Sequence, residues 1–461
     1  MKKTIAISLI ASALLFATGS DVSNLTIDYE NEIINGTNIN NAEVHQGYTE
    51  IDGSTVENVE LKKFLGGNTI DNVEIDDANI EQATFIITDA NASNSVANSI
   101  VIESDNSITN GSIKGGSYVR QSYTQIKSGS EIQGLGLKTI NHIQDLSSDA
   151  SDINKSTVDQ GILIVSGAST VVDFDQDALN TLEDVDSDDA NLTQNSIIVK
   201  NGSTITSFSN GGGTGGTAIT NTMTNVSATD GAKVTQNTNI FDNSEIDGLT
   251  STQINAITNV DVDQNAITQG HIEVTGSTVQ DLDVNFDNKI ENLKIIGTGS
   301  TEQGILIVSD SNATGDANIA SFEILSTNKL VDTDSLDGSY IIQSKTVILG
   351  SSDRSIVTNL LLNQTNTIQS STANGIVDNN LSNSASVSQA ETVIIDSTVD
   401  AFSQILTNEI TQVENSDSYL EQGYTLIQES DVNGLEITQI NTTINSTLTD
   451  STVTQGETLV Q

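Results

Sequence analysis

The chain has 461 residues, with 62 acidic against 16 basic side chains, a formal net charge of −46, and no Pro, Cys or Trp. That balance excludes a binding face for nucleic acid or anionic membrane, since both require basic patches, and the missing Cys excludes disulfide support. Proline removes a ladder donor and is kept out of central strands, so its absence suits a chain that is strand almost throughout.

Other features narrow the class further. Charged residues make up only 17% of the chain, and Val, Ile and Leu recur in register, which separates it from acidic disordered chains. Aromatics at 3% are too few for the girdles of an outer-membrane barrel.

The first residues read MKKTIAISLIASALLFATGS. Lys2 and Lys3 form a basic start, Thr4 to Phe16 an apolar stretch, and Ala17-Thr18-Gly19 a small-residue cleavage site. This pattern predicts a signal peptide over 1–19, with Ser20 as the first mature residue, and a secreted chain that is extracellular or held at the cell surface. Cleavage also removes Lys2 and Lys3, which moves the formal charge from −46 to −48. No second apolar segment of transmembrane length follows.

Residues 20–461 are expected to form one elongated repeat domain: a partial unit over 20–45, full repeats over 46–454 and a partial unit over 455–461. Each repeat is marked by a Gln that follows an alternating approach and precedes a small residue. Gln46, Gln82, Gln121, Gln160, Gln194, Gln236, Gln269, Gln303, Gln343, Gln389, Gln422 and Gln455 occupy this position. The separations run from 33 to 46 residues, with 33 the commonest, which is the signature of a repeat architecture.

Eight or nine residues after the Gln comes a Ser-x-Val-like step, as at Ser54, Ser169, Ser203, Ser244, Ser277, Ser397 and Ser430. Thirteen or fourteen residues after it comes a larger apolar side chain: Val59, Leu135, Phe174, Phe208, Leu249, Leu282, Phe402 or Leu435. Between these markers the period is 2, in short runs separated by Asn, Asp, Ser and Gly, so the elements are strands. Such a unit buries its apolar face only against the next unit. The predicted fold is therefore all-β, a parallel β-helix-like solenoid of about twelve repeats. The recurring Gln is expected to form a ladder of amides from layer to layer. Ser54-Thr55-Val56-Glu57-Asn58-Val59 is echoed by Asn68-Thr69-Ile70-Asp71-Asn72-Val73, which favours two half-coils in at least that unit.

Chemistry-bearing constellations are scarce. His45, His142 and His271 share no metal-ligand spacing, and Arg120 and Arg354 are the only arginines. The run Asn210-Gly211-Gly212-Gly213-Thr214-Gly215-Gly216 has neither the helix nor the Lys of a phosphate cradle. Carboxylates are so common that no pair stands out for glycoside hydrolysis. The expectation is no enzyme. One metal candidate is the stretch 173–184, where Asp173, Asp175, Asp177, Thr181 and Asp184 match positions of a calcium loop. Ala178, however, stands where the turn wants Gly. Calcium or other divalent cations and glycans are the plausible small partners.

The ends of the chain fit each other. Gln455-Gly456-Glu457-Thr458-Leu459-Val460-Gln461 opens a unit and contributes its first strand. Ser20-Asp21-Val22-Ser23-Asn24-Leu25-Thr26-Ile27 reads like a unit from its second strand, comparable to Ser430 to Ile437. Joining Gln461 to Ser20 of another copy gives a Gln455-to-Gln46 spacing of 33 residues. The candidate joint is therefore Ser20, Asp21, Val22, Leu25 and Ile27 with Gln455, Gly456, Thr458, Leu459, Val460 and Gln461. A head-to-tail contact that does not close makes a filament, and signal cleavage would expose the joining end only after export.

The Gln-Gly markers at 46, 160, 269, 303, 422 and 455, the export signal and the proline-free strand repeats resemble the curlins and other secreted matrix-fibre subunits. Curlin units are shorter, with a Q-x-G-x-x-N core, whereas this chain writes Gln-Gly together. The resemblance implies an extracellular structural fibre that self-assembles. The alternative expectation is a monomeric solenoid adhesin or surface-layer component that uses the loops at 173–189 and 209–220 to bind calcium or glycan.

Overall fold

Alternation of apolar and polar residues decides which face of each strand turns inward. In the computed structural model Ala266–Thr275 buries Ile267, Gln269, Gly270, Ile272 and Val274, while Thr268, His271 and Glu273 are more exposed. The structure describes residues 10–11, 15–18, 21–34, 38–53, 55–92, 100–144, 153–210, 219–229, 231–264, 266–296, 298–313, 322–335, 338–350, 355–369, 379–382, 385–411, 413–444 and 446–461. All regular structure among them is β-strand. They group into two units, Met1–Ser227 with Ala232–Gln236, and Ala228–Gly231 with Asn237–Gln461.

Each unit is a parallel β-solenoid whose coils have two main walls. In the first unit one wall stacks Glu43–Asp52, Asn79–Thr88, Tyr118–Lys127, Thr157–Val165 and Asn191–Lys200. Its opposite wall stacks Asp21–Ile34, Thr55–Asp71, Ile100–Thr109, Glu131–Gln144 and Thr170–Asp188. In the second unit the corresponding walls run from Ala266–Thr275 to Thr452–Val460 and from Glu245–Asp263 to Glu436–Ile444.

Register settles the size of a coil. Gln46 lies opposite Gln82, and Gln82 opposite Gln121, so one repeat of 33–46 residues is one whole coil. The two half-coils suggested by the echo of 54–59 in 68–73 are overturned. Thr55–Asp71 is a single strand in which Val56 lies opposite Val22 and Ile70 opposite Ile33. The echo repeats along one wall because both stretches obey the same alternation. In two of the longer repeats, residues 211–218, 351–354 and 370–378 lie outside the described residues.

The small residue after each marker Gln has a definite job. All twelve residues at this position, from Gly47 to Gly456, adopt left-handed backbone with φ between 56° and 75°. A left-handed residue in a strand acts like a bulge and shifts the inward phase by one. The buried set therefore runs Ile267, Gln269, Gly270, Ile272, Val274 without a break. Strict alternation would turn Ile272 and Val274 out. At Gly270, with φ of 67°, an added Cβ would lie 2.8 Å from Phe286 Cδ1 and 3.0 Å from Asn288 Nδ2. Gly270→Ala is expected to lower stability by about 1–3 kcal/mol through left-handed strain and overpacking, read as a fall in the urea midpoint.

Candidate functional site: amide ladders and the open coil edge

Along the first wall the marker glutamines are bonded coil to coil. In the first unit the Nε2 of Gln82, Gln121, Gln160, Gln194 and Gln236 each donates to Oε1 of the preceding Gln at 2.8–2.9 Å. In the second unit Gln303, Gln343, Gln389, Gln422 and Gln455 do the same at 2.6–3.0 Å. From Gln46 to Gln422 these side chains are fully buried. The second amide hydrogen crosses the coil. Gln82 reaches the carbonyl of Asn68 at 3.1 Å, Gln194 that of Thr222 at 3.3 Å and Gln343 that of Thr367 at 3.3 Å. Where both bonds form, the Gln ties its coil to the previous one and its own wall to the opposite wall, in a site where an orphan would be costly.

A second ladder faces it. Asn31, Asn68, Asn106, Asn141 and Asn180 each donate from Nδ2 to Oδ1 of the next Asn, ending at Asn221, at 2.7–2.8 Å. Asn255, Asn288, Asn328, Asn366 and Asn408 form the same chain toward Asn441 in the second unit, at 2.7–2.9 Å. Where the residue after Gln is polar it joins in: Ser122 Oγ lies 2.8 Å from Asn106 Nδ2 and 2.7 Å from Asn141 Oδ1. Sequence reasoning missed these asparagines. The signal was a fixed offset, since ten of the twelve stand 14 or 15 residues before a marker Gln, but Asn is so frequent in the turns of this chain that the offset is hidden.

The serine steps form a third set at the coil corners. Ser169 Oγ accepts from the Ser130 N–H at 3.2 Å and donates to the Ser166 carbonyl at 2.8 Å. Ser277 does the same toward Ser244 and Thr275. One hydroxyl thereby satisfies two backbone groups that a corner takes out of the regular ladder. Ser54 lies outside the described residues.

Several buried side-chain atoms among the described residues lack a partner, and Asn239 is the case in which both ends of one amide do. It is fully buried, three residues after Gln236, and neither side-chain oxygen nor nitrogen has a hydrogen-bond partner. The next coil carries Ile272 at that offset. Asn239→Ile is expected to raise stability by about 1–3 kcal/mol by removing an unpaired buried amide, measured as a rise in melting temperature.

Both ladders have a direction, and it matters at the last coil. Val460 lies in the register position that Ile427 holds one coil earlier, yet Val460 is 69% exposed where Ile427 is 4%. Leu435 is 39% exposed where its counterpart Phe402 is fully buried. Gln455 is likewise exposed, whereas Gln422 is buried. The outer edges of Asp431–Asn433, Glu436–Ile444 and Thr452–Val460 carry no further paired strand among the described residues. Such an edge is a template for another strand.

Of the remaining residues singled out from sequence, Ser20 lies outside the described set. Asp21, Val22, Leu25 and Ile27 lie on Asp21–Ile34, opposite Thr55, Val56, Val59 and Leu61. The backbone of Gln461 bonds to Ile427 and Glu429. The stretch 173–184 is part of the strand Thr170–Asp188 and not a wrapped loop. Asp173, Asp175, Asp177 and Thr181 are strung along the strand, with Leu179 outward between the last two and so about 13 Å from Asp177 to Thr181, and Asp184 takes a bond from Asn225 Nδ2 at 2.7 Å. Among the described residues no group of three or more His, Cys, Asp or Glu is placed to hold a metal ion. His45 pairs with Glu81 at 2.8 Å, and Arg120 bonds the same carboxylate at 3.2 Å. Arg120 also lies over the rings of Tyr118 and Tyr123. His142 and His271 stand on other coils, and Arg354 and 211–218 lie outside the described residues.

No family model, curated protein or solved structure matches this chain.

Proposed function

We propose that the chain is an exported structural subunit that adds head to tail, strand upon strand, into an extracellular or cell-surface filament of matrix, attachment or sheath type. The observation that carries this reading is the polarity of the two amide ladders. Within each unit a Gln accepts on its Oε1 from the following coil, so in the filament Gln455 would offer the acceptor and Gln46 of a second copy the donor. Within each unit an Asn donates onward, so Asn441 would offer the donor and Asn31 of that copy the acceptor. The joining strand would be Thr452–Val460, laid against Glu43–Asp52 of the second copy. The coil would be completed by the second copy's Asp21–Ile34.

Negative-stain electron microscopy tests this on the chain starting at Ser20, beside the same chain carrying a bulky folded domain fused after Gln461. Filaments are expected only from the first. Discrete particles from both at high concentration would overturn the reading and leave a monomeric adhesin in its place.

Stability of the subunit and its assembly should both favour acid pH, each for its own reason. Burial raises the pKa of Glu421, and the charges of Glu391 and Glu457 push it further the same way, against a bond from Tyr419. A raised folded pKa means that its stabilising effect is complete below the unfolded carboxylate range. That effect is lost as pH rises through the folded value. Acidification also reduces the repulsion between strongly negative copies. Elongation followed by light scattering is expected to be several-fold faster at pH 5 than at pH 8.

A further inference from the structure

In the first unit the glutamine-strand wall does not begin at Glu43–Asp52. Two short segments are paired in parallel against that strand's outer edge. Ile10 and Ala11 lie opposite His45 and Gln46, and Leu15, Phe16, Ala17 and Thr18 lie opposite Thr49, Glu50, Ile51 and Asp52. Both belong to the stretch read above as a cleavable leader. Their register is that of a preceding coil. Ala11 stands to Gln46 as Gln422 stands to Gln455, and Leu15 stands to Thr49 as Thr425 stands to Thr458.

We infer that Ile10–Ala11 and Leu15–Thr18 are an intramolecular stand-in for the carboxy-terminal strand of a second copy, closing the joining edge until the leader is removed. The inference rests on the filament reading and adds to it the identity of the occupied slot and a way of controlling it. In that slot Ala11 takes the place of Gln455, Phe16 that of Leu459 and Ala17 that of Val460.

The stand-in is made to be replaced. Alanine has no amide, so the leader cannot extend the glutamine ladder past Gln46, whereas Gln455 can. Ala11 and Leu15 are four residues apart while Gln46 and Thr49 are three, so the leader is one residue out of step with the edge it covers. It pairs at two positions and then four, against eight for Thr452–Val460 on its own neighbour. The second wall of the same coil, Asp21–Ile34 and Asn38–Asn40, is paired to Thr55–Asp71 and Glu74–Asp76 independently of the leader. Cleavage near Gly19 therefore leaves a coil that has its second wall and lacks its glutamine strand. The other end of the chain presents a glutamine strand without a second wall.

The test uses the whole chain in three forms: starting at Ser20, starting at Met1 with the leader retained, and starting at Met1 with both Phe16→Pro and Ala17→Pro. Elongation from preformed filaments of the Ser20 form is followed by light scattering and electron microscopy. The leader-bearing chain is expected to add at least tenfold more slowly than the Ser20 form, and the double proline chain to regain most of the rate. A synthetic peptide of residues 452–461 is expected to bind the Ser20 form, slow its growth and leave the leader-bearing chain unlabelled. Equal growth with and without the leader overturns the inference while the filament reading stands. Slow growth that the prolines do not relieve also overturns it, because the leader would then act by some means other than strand pairing. Absence of filaments from every form overturns the filament reading and the inference together.

Discussion

A chain from Ser20 to Thr454, lacking Gln455–Gln461, is expected to stay folded and to lose filament growth, with elongation falling by two orders of magnitude or more. The deleted segment supplies the last glutamine rung, bonded to Gln422 at 2.6 Å, and the strand paired from Tyr424 to Ile427. It adds a bond from Gln455 to Thr443 and backbone bonds of Gln461 to Ile427 and Glu429, and among the described residues Thr452–Val460 has a paired strand on one side only. The truncated chain should keep its β circular dichroism and lose a few degrees of melting temperature at most, as expected for loss of one edge strand. A milder version is Val460→Lys, which puts a charge where the continuing coil needs a side chain like Ile427. It should slow growth strongly without a measurable change in fold. Unimpaired filaments from the truncated chain would show that the joint lies elsewhere.

The largest effect on stability should come from the middle of the ladder. Gln303 is fully buried, donates to Gln269 at 2.7 Å and accepts from Gln343 at 3.0 Å. Gln303→Leu removes both rungs, and a change that strips partners from buried amides costs about 2–4 kcal/mol in total. Gln303→Glu separates the electrostatic part. A carboxylate there faces the Oε1 of Gln269 in a fully buried site, so its folded pKa rises well above the unfolded value of about 4.3. The raised pKa fixes the sign. The variant's stability is closest to the parent's below about pH 4. It then falls by up to about 1.4 kcal/mol per pH unit as pH rises toward the folded pKa. Denaturant midpoints of parent and variant between pH 4 and 8 decide it. A pH-independent gap would mean that water reaches the ladder.

These two results bear on different levels of the molecule. The truncation asks what the open edge is for, while the ladder substitutions ask what holds one coil upon the next. A fold made of nearly identical coils has little else to specify register, because a slip of one residue turns a whole buried set outward. Paired amides at two opposite points of each coil penalise every slipped alignment. Their buried polar bonds form only when Gln meets Gln and Asn meets Asn.

The amino-acid sequence by itself determined the period, the strand class, the parallel stacking and the positions of the marker glutamines. All of these follow from local spacing: alternation fixes strand, and a buried polar residue repeating once per coil has little to bond but its own copy in the next. Only the tertiary structure decided that one repeat is one coil, since the echo between 54–59 and 68–73 has the same alternation whether or not the chain turns between them. It also decided the left-handed shift after each Gln, which sequence shows only as a preference for small residues, and the asparagine ladder, whose members look like any other turn Asn. The slot held by Ile10–Ala11 and Leu15–Thr18 was illegible for the same reason. An apolar leader has no periodic marker, and which edge it covers depends on a strand that lies 34–35 residues later in the chain.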